Sequence, residues 1–245
     1  MPTLLLTPRQ SEDAQELWRA CIRLGWSVHR LQGWKVPAVD AGEIAVYAEP
    51  LLATRVAQNF GIKLLEPPDD FLPSLPESWR KRSVLLTTMK EARLSTEPRF
   101  IKSAARKEFD ARVYASGADL PRGELVRDSL PVLIQEIVAW DVEYRCFVSD
   151  RAVRTASSYW RHEKDPRDEN GIWCADELRE ATEFCNALLA DPAVTVPEAC
   201  VIDVGLIPRK GWAVIESNAA WSSGIYGCDG AAVLPVLLRA CPPNK

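Results

Sequence analysis

Between Ala199 and Gly227 the chain reads ACVIDVGLIPRKGWAVIESNAAWSSGIYG, two apolar runs parted by Pro-Arg-Lys-Gly. That connection is a turn signal, and strands joined by so short a link pair as a hairpin by default. The hairpin sets Asp203 on one strand beside Glu216 and Asn218 on the other. Glu216 and Asn218 are two positions apart and therefore share a face. An unpaired carboxylate buried within CVIDVGLI would cost several kcal/mol, so Asp203 asks for a partner.

A cation meets that need. Three oxygen-bearing groups, two of them carboxylates, suit Mg2+, a hard ion that prefers oxygen and completes its shell with water and phosphate oxygens. The alternative is that Asp203 caps a turn while Glu216 and Asn218 simply end a strand.

The N-terminal third has a different rhythm. Thr3 to Leu6 is a short apolar strand, and Ser11 opens a helix with Glu12 and Asp13 in its first turn that runs until Gly25. Trp26 to Leu31, Ile44 to Ala48 and Ile62 to Leu65 read as strands, with a helix over Leu51 to Phe60 stopped by Gly61. Alternating units of this size predict a small parallel sheet with helices on its faces. No G-x-G-x-x-G follows the first strand, so a dinucleotide fingerprint is absent. Proline-rich Glu66 to Pro76 is expected to be an irregular linker, and Trp79-Arg80-Lys81-Arg82 a solvated basic helix face.

In the middle of the chain, Phe100-Ile101-Lys102 is a strand ending on lysine, and Lys107 follows before a strand resumes near Val113. Two ammonium groups flanking such a loop suit a polyphosphate, or are simply solvated. Val132 to Val138 is a nearly continuous apolar strand carrying Gln135 and Glu136. It leads into VEYRCFV, where Glu143 and Arg145 share a face. An arginine inside an apolar strand needs an anion, and its planar fork suits a neighbouring carboxylate or a ligand phosphate equally. Val153 to Tyr159 continues as strand, Trp160 to Trp173 is expected to be a mobile loop or lid, and Asp176 is expected to cap a helix. Ala231 to Ala240 reads as a buried last helix followed by the tail CPPNK.

Composition excludes several classes. With 47% hydrophobic and 26% charged residues over 245 positions the chain is of the ordinary soluble kind. A net charge of −4 with scattered Lys and Arg argues against nucleic acid as the main partner. No apolar run approaches the roughly 20 residues that span a bilayer, and MPTLLLTPRQ does not look like a signal peptide, so no membrane partner and a cytoplasmic location are expected. Seven cysteines without a C-x-x-C pair, and only two histidines, make structural zinc a poor fit; buried reduced thiols are the expectation. The nine tryptophans fit core or cleft lining, and with the apolar N-terminal part they make a homodimer reasonable.

Taken together, the order of pieces is informative: lysine on a strand, second lysine, Q-E-I-V, E-Y-R, D-V-G, then I-E-S-N running on into Ser223-Gly224-Ile225-Tyr226. This order resembles the ATP-grasp superfamily, and within it the short RimK-like proteins with two lysines before the hinge. The resemblance implies an α/β and α+β fold: a Rossmann-like pre-ATP-grasp lobe over 1–80, a small central lobe over 81–135 and a C-terminal lobe with the magnesium site over 136–245. ATP would lie between the last two. It further implies that Lys102 and Lys107 contact phosphates and that the backbone of Gln135, Glu136, Ile137 and Val138, with the Glu136 side chain, receives adenine. Glu143 would bind ribose, Arg145 the γ-phosphate or an acyl phosphate, and Asp203, Glu216 and Asn218 would hold Mg2+. One departure is the lack of glycine between Lys102 and Val113, where many relatives cover the phosphates with a glycine-rich loop.

The reaction so implied joins a carboxylate to an amine, small molecules such as an amino acid or peptide, through an acyl phosphate with release of ADP. Arg145 and Lys102 would stabilise its charge, and Arg154, Arg161, Ser222, Ser223, Gly224 and Tyr226 are the substrate-side candidates. A phosphotransferase on the same nucleotide site, or a nucleotide-binding module with little turnover, are the alternatives.

Overall fold

A computed structural model of the chain describes residues 1–39, 42–104, 108–123, 126–161 and 174–244. The expected lid over Trp160 to Trp173 falls outside the described residues except at its first two positions, and Lys107 falls outside them as well.

Thr3–Leu6 (β1) has three fully buried leucines and forms the middle of a parallel sheet of three, flanked by Ser27–Arg30 (β2) and Ile44–Tyr47 (β3). Helix Glu12–Leu24 (α1) begins where the Ser11 hydroxyl accepts from the Ala14 amide, and it ends at Gly25 with φ 68°. Pro50–Phe60 (α2) carries Pro at its first position and stops at Gly61, φ 62°. Both helices thus begin and end on the residue types the sequence supplies for those tasks.

Ile62 to Leu65 differs from expectation. It joins no sheet: Ile62 bridges to Pro243, the Lys63 amide donates to the Pro242 carbonyl at 2.8 Å, and the Asn244 amide returns to the Gly61 carbonyl at 2.7 Å. The run is short, and the C-terminal residues satisfy its backbone, so Pro242 to Asn244 are correspondingly pinned rather than a free tail. Glu66 to Pro76 is not wholly irregular either. Phe71–Ser74 (α3) turns Phe71, Leu72 and Leu75, each 3% exposed, into the core of the C-terminal sheet; Glu77–Arg80 (α4) follows.

Val84–Thr88 (β4) is a strand that the sequence reading did not single out; it runs into the short helix Met89–Ala92 (α5). With Arg99–Ser103 (β5), Arg112–Tyr114 (β6) and Pro131–Gln135 (β7) it makes an antiparallel sheet in the order β4-β7-β5-β6. The ladder of β7 stops at Gln135, so Glu136 to Val138, expected as strand, form the connection out of this sheet.

Val142–Ser149 (β8), Ala152–Arg161 (β9), Ala199–Ile207 (β10) and Gly211–Asn218 (β11) form the third sheet, antiparallel, in the order β11-β10-β8-β9. Helix Ala175–Ala190 (α6) covers one face, where Tyr144, Cys146, Ile202 and Val204 pack on Ala181, Cys185 and Leu188. Its N-cap is Cys174; Asp176, expected to be the cap, sits in the first turn, where its charge favours the helix dipole. Helix Gly230–Arg239 (α7) lies at the other face, sharing a core with Phe147, Val201, α1 and the first sheet. All seven cysteines are free and six are buried, in keeping with reduced core thiols. Among the described residues no helix is long and apolar enough to cross a membrane.

Candidate active site

The alternation of β8 and β10 separates two chemistries. Residues facing α6 are apolar, whereas Glu143 and Arg145 on β8 and Asp203 on β10 face the opposite way. Antiparallel register places Arg145 opposite Asp203 on one side and Asp203 opposite Glu216 of β11 on the other. A bulge follows at once: Val204 pairs with Val214, so Ile215 is an extra residue in β11. A second bulge leaves Tyr159 extra in β9, since Glu143 pairs with Trp160 and Tyr144 with Ser158. Bulges re-aim side chains, and both extra residues line the same cleft.

That cleft, about 290 Å³, lies between the second and third sheets. Phe100, Lys102, Ala111 and Val113 come from the second; Glu143, Tyr159, Ile215 and Glu216 come from the third; Glu136, Ile137, Val138 and Trp140 close the end where the chain crosses. Val113 and Ile137 remain 43% and 47% exposed, and with Phe100 and Ile215 they offer apolar surface to a flat ring.

At the inner end, cations and carboxylates interlock. The Lys102 ammonium contacts Glu216 Oε2. Asn218 Nδ2 donates to Glu216 Oε1 at 2.8 Å and to Asp203 Oδ2 at 3.3 Å. The Arg145 fork grips Asp203 through Nε at 2.9 Å and Nη2 at 2.7 Å, and its Nη1 donates to the Gly224 carbonyl at 3.0 Å. The same guanidinium lies 5.3 Å from the Tyr159 ring centre and 4.8 Å from that of Tyr226, the two rings themselves stacked at 5.2 Å.

The electrostatics follow from this packing. Complete burial pushes the Asp203 carboxyl up, offset by the Arg145 charge and its hydrogen bonds. Burial would raise Glu216 too, but the Lys102 ammonium and the Asn218 amide outweigh it and hold that carboxyl at about 2. Glu143 is pushed up, first by burial and then by the charges of Asp203 and Glu216, against the Tyr159 hydroxyl that donates to it. Burial opposes the Arg145 charge, yet Asp203 keeps the guanidinium above its ordinary value.

Asp203, Glu216 and Asn218 therefore converge within hydrogen-bond reach. Two carboxylates and a carboxamide, with no thiol or imidazole in the set, fit a hard divalent ion such as Mg2+; rotating the Asn218 amide presents oxygen in place of nitrogen.

Other expected residues are placed differently. Glu136 has its carboxylate engaged by Lys210 Nζ at 2.8 Å and the Ser83 amide at 3.1 Å, and these two, in that order, hold it below the usual carboxylate range. The Gln135 side chain points to Arg82, leaving the hinge backbone as its contribution. Arg161 is bound by Glu177 of α6 on the face behind the site, beside Tyr144. Arg154 bonds Ser149 at the far turn of β8 and β9. The contacts of neither lead to the cleft. Ser223 is buried, its hydroxyl donating to the Ala219 carbonyl at 2.8 Å; Tyr226, with φ 46°, stays 48% exposed beneath Arg145.

The sequence reading missed Arg82, Trp140, Tyr159 and Ile215. Arg82, expected on a solvated face, is 2% exposed in the cleft wall. Burial, then the nearby Arg80 charge, push its guanidinium down to about 10. The one available signal was an arginine two residues ahead of the apolar run Val84 to Leu86, which is how a strand entry carrying a buried charge looks.

Comparison with known proteins gives a consistent picture. A family model described as an ATP-grasp domain matches residues 79–236. Among solved structures, a RimK domain ATP-grasp protein from Sphaerobacter thermophilus shares 16% identity over 97% of this chain and 99% of its own, with TM-score 0.57. D-cycloserine synthetase DcsG gives 13% identity, 97% and 98% coverage and the same TM-score, 0.57. The macrocyclase MdnC of Microcystis aeruginosa MRC, solved with its precursor peptide MdnA, gives 12% identity, 97% and 99% coverage and TM-score 0.51. No curated protein matches the chain by sequence.

Proposed function

The chain belongs to the ATP-grasp superfamily, and on that premise we propose that it is an ATP-dependent carboxylate–amine ligase acting on an amino acid or peptide. The observation that carries this reading is the interlocked set Lys102–Glu216–Asn218–Asp203–Arg145 at the inner end of a cleft with an apolar mouth. Adenine lies against Phe100, Val113, Ile137 and Ile215, with the backbone of Glu136 to Val138 beside it, and Glu143 receives the ribose. Lys102 faces the phosphates, a role that the sequence resemblance extends to Lys107; Arg145 faces the group being transferred.

Asp203, Glu216 and Asn218 would hold magnesium, which when bound would supply charge neutralisation for the phosphates. The protein's own share is positioning. An acceptor carboxylate attacks the γ-phosphorus, ADP departs, and an amine displaces phosphate from the acyl phosphate; lysine and arginine offset the charge that accumulates. No protein nucleophile is needed. Substrates approach beyond Arg145, where the loop carrying Ser222, Gly224 and Tyr226 borders a second cavity of about 370 Å³ at the carboxyl ends of β1 and β3, the edge at which parallel sheets usually take ligands. Relatives point the same way: one is a D-cycloserine synthetase and another a macrocyclase bound to a peptide.

The test is ADP release screened over mixed amino acids and small peptides, with mass detection of the products and hydroxylamine present to trap an acyl phosphate. Hydroxamate and an amide product are expected. Rapid ADP release with phosphorylated product and no hydroxamate would make the protein a phosphotransferase instead.

A further inference from the structure

Arg82 carries a buried positive charge whose five N–H groups all end on uncharged acceptors. Nε and Nη2 both donate to Gln135 Oε1, at 3.1 and 2.9 Å; Nη1 donates to the Arg80 and Val214 carbonyls at 3.0 and 2.7 Å; Nη2 also donates to the Ile215 carbonyl at 3.0 Å. The Trp140 ring lies 5.0 Å from the guanidinium carbon. A buried guanidinium is ordinarily matched by a carboxylate, because desolvating the ion costs several kcal/mol. Here carbonyl dipoles and an aromatic face replace it.

The acceptors belong to separate pieces of the fold. Gln135 is the last residue of β7, directly before the crossing segment; Val214 and Ile215 lie on β11, Ile215 being the bulged residue next to Glu216. Arg82 itself stands just ahead of β4, the strand paired with β7. One planar fork therefore ties the base-facing end of the second sheet to the strand that carries the metal-binding carboxylate. We propose that Arg82 is a positioning residue that staples β7 to β11 across the hinge and so sets the width of the base-binding end of the cleft, without itself bonding the nucleotide. This rests on the nucleotide reading of the cleft. Its specific content is that the staple acts at the base end and not at the phosphate end, and that a lysine, whose single nitrogen cannot reach Gln135 and both β11 carbonyls at once, does not replace it.

The experiment compares affinities of the full chain and of Arg82→Lys, Arg82→Met and Gln135→Met for MgATP and for magnesium tripolyphosphate, by calorimetry, with melting curves to verify folding. Arg82→Lys and Arg82→Met are expected to weaken MgATP about tenfold or more, as a misplaced site wall does. Tripolyphosphate, which lacks the base, is expected to stay within about twofold. Gln135→Met keeps the arginine and its charge, and a selective loss of MgATP affinity is expected there also; should the Arg82 variants not fold, that variant decides the matter. Arg82→Lys indistinguishable from wild type, equal losses for both ligands, or Gln135→Met with undiminished MgATP affinity would each overturn the staple. Wild-type protein that binds no MgATP would bring down the nucleotide reading, and the staple with it.

Discussion

The two walls of the cleft handle charge in opposite ways. On the third sheet Arg145, Asp203 and Glu216 sit on adjacent strands, and the buried Asp203 carboxylate has its counter-charge from Arg145 in direct register. The second sheet brings mostly apolar surface and two cations to the cleft, and each reaches across it: Lys102 to Glu216, and Arg82, anchored on its own side by Gln135 and Arg80, to the carbonyls of β11. The Arg145–Asp203 pair is electrostatically complete within one wall. Glu216 and Lys102 are matched only when the two walls are docked, so the relative position of the walls is part of the site.

Substitutions that unbalance the self-sufficient Arg145–Asp203 pair should have the largest effect. Asp203→Ala leaves Arg145 buried without its carboxylate and is expected to cost about 3–5 kcal/mol of stability in chemical denaturation, whereas Lys102→Met, on the wall that borrows its partner, should cost much less. Equal losses would break the contrast. In ligand binding, MgATP at about a hundred times its Kd should add about 2.7 kcal/mol to wild type, and Asp203→Asn or Glu216→Gln should remove most of that gain.

Next in size is Arg145→Lys. It keeps the charge, loses the bidentate grip on Asp203, and is expected to lower kcat about 10²-fold, or about 2.7 kcal/mol of transition-state stabilisation, with a smaller change in KM for ATP. An unchanged kcat would show that Arg145 serves the wall and not the reaction.

Gly205→Ala probes how tightly the strand is held against the crossing segment. A Cβ there would lie 2.7 Å from Trp140 Cε3 and 3.0 Å from the Val142 carbonyl, so a loss of about 1–3 kcal/mol is expected, with a shift in tryptophan emission. The smallest effect concerns acid stability away from the cleft. Asp191 is held below the usual carboxylate range, first by the Trp79 indole N–H at 2.7 Å and then by the Ala193 amide. A depressed folded-state value contributes stability that is present above the unfolded value, 3.8, and lost as pH falls through the folded one. Asp191→Asn should therefore flatten the decline of Tm below about pH 4 while changing little at pH 7; an identical acid limb would count against the Trp79 contact.

Much of the third sheet was legible because its chemistry contradicts its setting. Asp203 inside CVIDVGLI and Arg145 inside VEYRCFV are charges in strands that must be buried, and strand periodicity with a short turn was enough to place Glu216 and Asn218 beside Asp203. The second sheet was less legible. β4 was overlooked, and Arg82 in its basic cluster looked like any solvated side chain. Arg161 and Arg154, equally plausible by composition, are taken up by Glu177 and by Ser149.

The amino-acid order by itself determined which residues occupy one face of a strand, where α1 and α2 begin and end, and that a buried carboxylate at Asp203 required a counter-charge, because backbone period, capping chemistry and desolvation act over a few neighbouring positions. Only the tertiary structure decided which cation answers which carboxylate, that the bulges at Tyr159 and Ile215 turn side chains into the cleft, and that Arg82 bridges its walls. Those outcomes depend on register and on contacts between residues far apart in the chain, such as Arg82 with Gln135 and Arg145 with Asp203, and no local pattern encodes distances of that kind.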